Sequence, residues 1–220
     1  MTPRGRFVTL EGVEGGGKST LLRNLLGWAE DRGIPCVVTR EPGGTPFGAE
    51  LRRILLDPEG PRRAPEAELL LYLADRFQDV TEKVLPAVES GAWAICDRYH
   101  DATVAYQGHA RGLDLGMIRE LARALRLPVP DLTILVDVDP AISLPRAIRR
   151  NRTVEGGEKE SRFEAESLAF HRRVRAGYLD IAAREPERFF TVDGALPPEQ
   201  VFRAAAGRLA SLLGAPGGCP

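Results

Sequence analysis

Cysteine is scarce in this chain of 220 residues: Cys36, Cys96 and Cys219 are an odd number, with no Cys-x-x-Cys spacing. That excludes a disulfide scaffold and a zinc or dithiol motif, and it fits a reducing cytosol. Long hydrophobic runs are missing as well. The longest, Leu69 to Ala74, is far too short for the ~20 residues of a bilayer span. Strand-like residues from Phe7 leave no place for a secretory leader. A soluble, cytoplasmic protein with no membrane partner is expected. Charge of one sign is lacking too. A net charge of −1 gives no footprint for nucleic acid, so phosphate binding must come from local clusters. Asparagine is nearly absent. Neither Asn24 nor Asn151 is followed by Lys, which weighs against the Asn-Lys-x-Asp guanine signature of a GTP switch.

What is present is an alternation. Five short apolar runs, Phe7–Leu10, Cys36–Thr39, Trp93–Cys96, Thr133–Val136 and Phe189–Val192, read as strands covered on both faces, as in a parallel sheet. Helical stripes lie between them. Leu21, Leu22, Leu25, Leu26 and Ala29 form one, and Val201, Phe202, Ala205, Leu209, Leu212 and Leu213 another, entered through Pro197-Pro198. A third helical stretch runs from about Glu66 to Glu89. The pattern predicts a doubly wound α/β fold with ligands at the carboxyl ends of the strands. No linker or repeat divides it: residues 1–213 form one domain, and 214–220 a flexible tail.

Gly12-Val13-Glu14-Gly15-Gly16-Gly17-Lys18-Ser19 fits the phosphate loop G-x-x-x-x-G-K-[ST], directly after the first strand and before the first helix. The glycines let backbone N–H groups turn inward around phosphates, and the helix start favours an anion. Lys18 is placed to reach the β- and γ-phosphates and Ser19 to ligate Mg²⁺. A chance match in a chain of this length is on the order of one per cent at average residue usage.

Other strand ends add an acceptor side. In Thr39-Arg40-Glu41-Pro42-Gly43-Gly44-Thr45, Arg40 offers a bidentate fork for a phosphate, and Pro42 is a candidate for a cis bond, against a plain β–α turn. Asp97-Arg98-Tyr99 ends the third strand. Asp97 suits Mg²⁺ and its waters, with Asp137 as second choice, while Arg98 suits an acceptor phosphate; a strand-end ion pair is the alternative. Tyr72 and Arg76, four apart on one helix face, suit a planar base by stacking and hydrogen bonding, or else are packing and surface charge.

Together these motifs, with Thr103-Val104-Ala105-Tyr106-Gln107-Gly108, Pro130-Asp131-Leu132-Thr133, Asp137-Val138-Asp139-Pro140 and Arg162-Phe163-Glu164, resemble bacterial thymidylate kinases over about Phe7 to Leu213. The resemblance implies a homodimeric P-loop nucleoside monophosphate kinase with a five-stranded parallel sheet and a short lid, here about residues 146–162. It implies conversion of dTMP and Mg·ATP to dTDP and ADP on the route to dTTP. Position by position, Tyr72 stacks on thymine, Arg76 bonds its carbonyl edge, Arg40 and Arg98 hold the acceptor phosphate, Thr103 helps read the base, Glu14 lies near the sugar and Tyr106 crowds its 2′ position. Ala102 stands where the family often has Ser, and the stretch between Arg149 and Arg162 is longer than a short lid.

The phosphate loop carries Glu14 and Gly15 where some relatives place a catalytic arginine, so the cation must come from elsewhere. Arg146, Arg149, Arg150 and Arg152 precede Thr153-Val154-Glu155-Gly156-Gly157, and Arg150 and Arg152 are the first choices for an arginine finger. A solvated basic helix end is the competing explanation. Phosphoryl transfer to an ionised monophosphate needs no general base, so His100, His109 and His171 are assigned to surface or packing. Rival functions are a P-loop kinase of another small acceptor and a P-loop ATPase or regulator. The constellation Arg40, Tyr72, Arg76, Arg98 and Tyr106 favours the thymidylate kinase reading over both, since a regulator needs no base-stacking pocket.

Overall fold

A computed structural model of the chain describes residues 4–153 and 162–213. Each of the five apolar runs forms a strand: β1 (Phe7–Glu11), β2 (Cys36–Arg40), β3 (Trp93–Asp97), β4 (Leu132–Asp137) and β5 (Phe189–Asp193). They make one sheet in the order β2-β3-β1-β4-β5, every pair parallel. The inner strands are buried on both faces, which is why their sequences are continuously apolar. At the edge, β2 is only partly covered.

The helices are α1 (Lys18–Glu30), α2 (Pro46–Leu56), α3 (Pro65–Asp79), α4 (Leu85–Glu89), α5 (His100–Thr103), α6 (Leu115–Ala124), α7 (Pro140–Thr153), α8 (Leu168–Arg184) and α9 (Pro198–Leu213). On one face of the sheet, Leu21, Leu25 and Trp28 of α1 and Val201, Ala205 and Leu209 of α9 pack with Val8, Leu10 and Ile134. On the other, Leu51 and Leu55 of α2 and Val174, Tyr178 and Ile181 of α8 pack with Leu135 and Phe189. Both predicted stripes are core faces, except that Leu213 at the end of the second is 51% exposed.

The stretch read as one helix from Glu66 to Glu89 is interrupted. A π-helical turn, Val80–Val84, joins α3 to α4. Pro86 supplies the reason, because its ring would meet the carbonyl of Glu82 and it has no N–H to donate. A widened turn before it removes the conflict. A second π-helical stretch, Val104–Ala110, continues α5 and carries Tyr106 and Gln107 to the carboxyl end of the sheet.

Candidate active site

The carboxyl ends of β1, β2 and β3 open into a cleft of about 600 Å³ lined from Glu14 to Thr20, by Arg40–Pro42, and by Tyr72, Arg76, Asp97, Arg98, Thr103 and Tyr106. The loop between β1 and α1 forms one side. Gly15, at φ 71°, lies so close to α7 that a Cβ would stand 2.0 Å from the carbonyl oxygen of Ser143. Gly17, at φ 96°, caps α1 without any side-chain hydrogen bond; the Thr20 N–H returns to its carbonyl at 3.1 Å, which leaves the N–H groups of Lys18 and Ser19 to a ligand. Lys18 folds across the loop, with Nζ donating to the carbonyls of Gly12 and Val13, both at 2.9 Å. Burial, and after it the charge of Arg98, pushes its ammonium down to about 8.

Buried groups already bonded to one another build the opposite wall. Arg76, 1% exposed, donates Nε to Glu41 Oε2 at 2.6 Å, Nη1 to Thr103 Oγ1 at 2.7 Å and Nη2 to the Tyr99 carbonyl at 3.0 Å. Three of its five N–H groups are thus spent on the protein, and the rest remain for the cleft. The Glu41–Pro42 bond is cis. Arg98 sits at φ 69°, donating Nη2 to Glu14 Oε1 at 2.9 Å and Nη1 to the Tyr178 hydroxyl at 3.1 Å. The Tyr106 hydroxyl donates to the same Glu14 oxygen at 2.5 Å, and its ring packs edge-on against Phe163. Burial pushes the Glu14 carboxyl up, but Arg98, His171 and Lys18 together hold it well below the usual carboxylate range. Arg40, at the end of β2 opposite Asp97, stays exposed at the cleft mouth. Every residue expected on the acceptor side therefore lines this one cleft.

The oxygen donors expected for a divalent cation fit a hard ion. Ser19 is exposed at the loop, and Asp97 Oδ1 is buried with no hydrogen-bond partner among the described residues. Asp137, the second choice, is gripped by both ends of Arg175, at 2.6 and 2.8 Å, so its oxygens are spoken for. Of the four arginines near the end of α7, Arg146 and Arg150 line the cleft, and Arg149 and Arg152 do not. Arg150 leans on Asn151 Oδ1 at 3.1 Å and, more distantly, on Glu164 Oε1 at 3.5 Å. Residues 154–161, which hold the glycine pair of the expected lid, and the expected tail 214–220 lie outside the described residues.

Three members of the site carry no motif of their own. Glu11 on β1 accepts from the Tyr178 hydroxyl and the Tyr99 N–H, both at 2.7 Å, and burial followed by Asp101 raises its carboxyl to about 7. Tyr178 on α8 bridges Glu11 to Arg98. His171, assigned to surface or packing from sequence, is buried at 1% exposure and belongs to the wall. Its Nε2 donates to the Phe163 carbonyl at 3.0 Å, and its Nδ1 faces Glu14 Oε2 at 3.3 Å.

A family model described as thymidylate kinase matches residues 10–205. Similar proteins named thymidylate kinase include one from Carboxydothermus hydrogenoformans, 45% identical over 96% of this chain and 100% of its own. One from Solidesulfovibrio magneticus is 50% identical over 94% of this chain and 100% of its own. Another, from Citrifermentans bemidjiense, is 52% identical over 86% of this chain and 84% of its own.

Proposed function

The chain belongs to the thymidylate kinase family and phosphorylates dTMP to dTDP in nucleotide biosynthesis, and from that premise we propose how its residues divide the work. ATP lies with its β- and γ-phosphates in the loop Gly12–Ser19, against the N–H groups that open α1 and Lys18. The acceptor lies across the cleft. Tyr72 stacks on thymine, Arg76 donates its remaining N–H groups to the base, and Thr103 fixes Arg76. Arg40 and Arg98 hold the monophosphate, whose oxygen attacks in line with no general base. Glu14, kept ionised by Arg98, meets the sugar, and Tyr106 stands at its 2′ position.

Ser19 and Asp97 would hold Mg²⁺, which supplies neutralisation of phosphate charge when bound. Arg150, helped by Arg146, stabilises the charge that develops on the transferred group. The observation that carries this division is the convergence of Arg40, Tyr72, Arg76, Arg98 and Tyr106 on the same cleft as the phosphate loop.

The same proposal makes residues 1–213 one kinase domain and the protein a cytoplasmic homodimer. Support for the dimer comes from Phe47 and Ile54 of α2 and Leu70 and Phe77 of α3, each 41–57% exposed and spaced seven apart along adjacent helices, an apolar face that a second copy would cover. Among the described residues no helix is long and apolar enough to cross a membrane. ADP release with Mg·ATP across a panel of nucleoside monophosphates tests the acceptor assignment. dTMP should give the greatest turnover, and equal turnover with dCMP or dAMP would overturn the base pocket.

A further inference from the structure

A second cavity of about 510 Å³ lies behind the acceptor wall and takes no part in the chemistry above. One stretch of chain divides the two spaces. Thr103, Tyr106 and Gln107 line the cleft, while His100, Val104 and His109, from the same α5 and π-helical turns, line the second cavity. Its walls are apolar where Val104, Leu115, Leu127 and Ile181 meet. Five arginines stand around it. Arg123 is held by Glu120 at 2.7 Å, Arg184 by Asp180 at 3.0 Å and Arg188 by Asp101 at 2.7 Å. Arg119 and Arg126 have no such partner among the described residues.

The backbone at Arg126 supplies an independent observation. Helix α6 ends with the Leu127 N–H returning to the Ala122 carbonyl at 3.1 Å, a closure that puts Arg126 at φ 51°. Glycine fills that position without steric cost, and a side chain there is strained. Among the described residues only two non-glycine residues have positive φ, and both are arginines: Arg98, facing the first cleft, and Arg126, facing the second. Strain of this kind gathers at binding sites, where the surrounding structure over-determines it.

We propose that this cavity is a second binding site, for a small phosphorylated molecule whose anionic head meets Arg119 and Arg126 and whose flat body lies on the apolar wall. Arg188, which secures Asp101 of α5, is part of the same lining. An anion that competes for Arg188 therefore loosens the helix that carries Thr103 to the acceptor.

The test uses the full-length protein with its first cleft filled by an adenosine–thymidine pentaphosphate bisubstrate ligand. ADP is then titrated by calorimetry, with inorganic pyrophosphate as competitor. One further ADP site per chain is expected, displaced by pyrophosphate. Arg119→Ala and Arg126→Gly should each weaken it by roughly tenfold, the loss of one charge-assisted hydrogen bond. Arg126→Gly should also raise the melting temperature by relieving the positive φ, so loss of binding in that variant cannot be blamed on unfolding. The proposal fails if no ADP binds at millimolar concentration once the cleft is filled. It fails equally if ADP binds but neither variant weakens it.

Discussion

The acceptor wall and the end of α7 both offer guanidinium groups to the same cleft, and they hold them in opposite ways. Arg76 is 1% exposed and spends three hydrogen bonds on Glu41, Thr103 and Tyr99. Arg150 has a side chain 53% exposed, resting on a neighbouring amide and a carboxylate at 3.5 Å. A group that recognises a base gains from being fixed before the ligand arrives, because no ordering remains to be done on binding. A cation that meets charge developing in the transition state gains from a loose resting place, since bonds made in the ground state would have to be broken first. The difference is one of timing. The wall should fail through stability and binding, and the α7 arginines through turnover alone.

The largest expected effect tests the loose side. Arg150→Ala should lower kcat by roughly 10³-fold or more, the scale of losing an arginine finger, with the urea midpoint unchanged. Arg152→Ala, outside the cleft lining, should stay within about tenfold. Steady-state kinetics on both variants would break the contrast if Arg152 proved the more damaging.

On the fixed side, Arg76→Ala strands the buried Glu41 carboxylate among Asp75 and Asp79. Unfolding in urea should show a loss of roughly 3–5 kcal/mol, as expected when one partner of a buried ion pair is removed. Adding Glu41→Gln should recover part of it. A variant that weakens dTMP binding without losing stability would mean that Arg76 is not fixed in advance.

A smaller effect sharpens the wall's specificity. Tyr106→Ala should raise the use of 5-methyl-UMP relative to dTMP by about tenfold, the scale on which a pocket distinguishes small groups. Tyr106→Phe, which keeps the ring, should leave the ratio near the parent's.

A last effect concerns pH. Burial, and then Asp75, raises the Asp79 carboxyl from 3.8 to about 6. The folded state therefore holds this proton more tightly than the unfolded chain does, so its stabilisation is complete below pH 3.8 and is lost as pH rises through about 6. Asp79→Asn should make the fall in stability between those values shallower, leaving the slopes of the same sign that Glu11, Glu41 and Asp75, all raised by burial, contribute. Thermal melts from pH 4 to 8 would show it.

The loose side was partly legible in the sequence and the fixed side only as candidates. A run of arginines announces itself, but which of them face inward depends on the helical phase and packing of α7, and Arg146 rather than Arg152 joins Arg150 at the cleft. Tyr72, Arg76 and Arg98 were each visible beside a strand end or on a helix face, and Tyr106 only through the family resemblance. Their partners were not. Glu11 falls between the apolar run Phe7–Leu10 and the phosphate loop, and His171 carries no signal beyond surface or packing. The π turn at Val80–Val84 was hidden for another reason: Pro86 signals a break but does not say what form it takes.

By itself the sequence determined the alternation of strands and helices, the phosphate loop and the family, because each rests on contacts between near neighbours: apolar runs of strand length, glycines at fixed offsets, a helix start. Tertiary structure alone decided how those pieces act together. Glu41 reaches Arg76 across 35 residues, Arg98 reaches Glu14 across 84 and Tyr178 reaches Glu11 across 167. No local spacing encodes such pairs. They exist because the parallel sheet brings the carboxyl ends of its strands together, and because a buried charge must find a partner there or give up its charge.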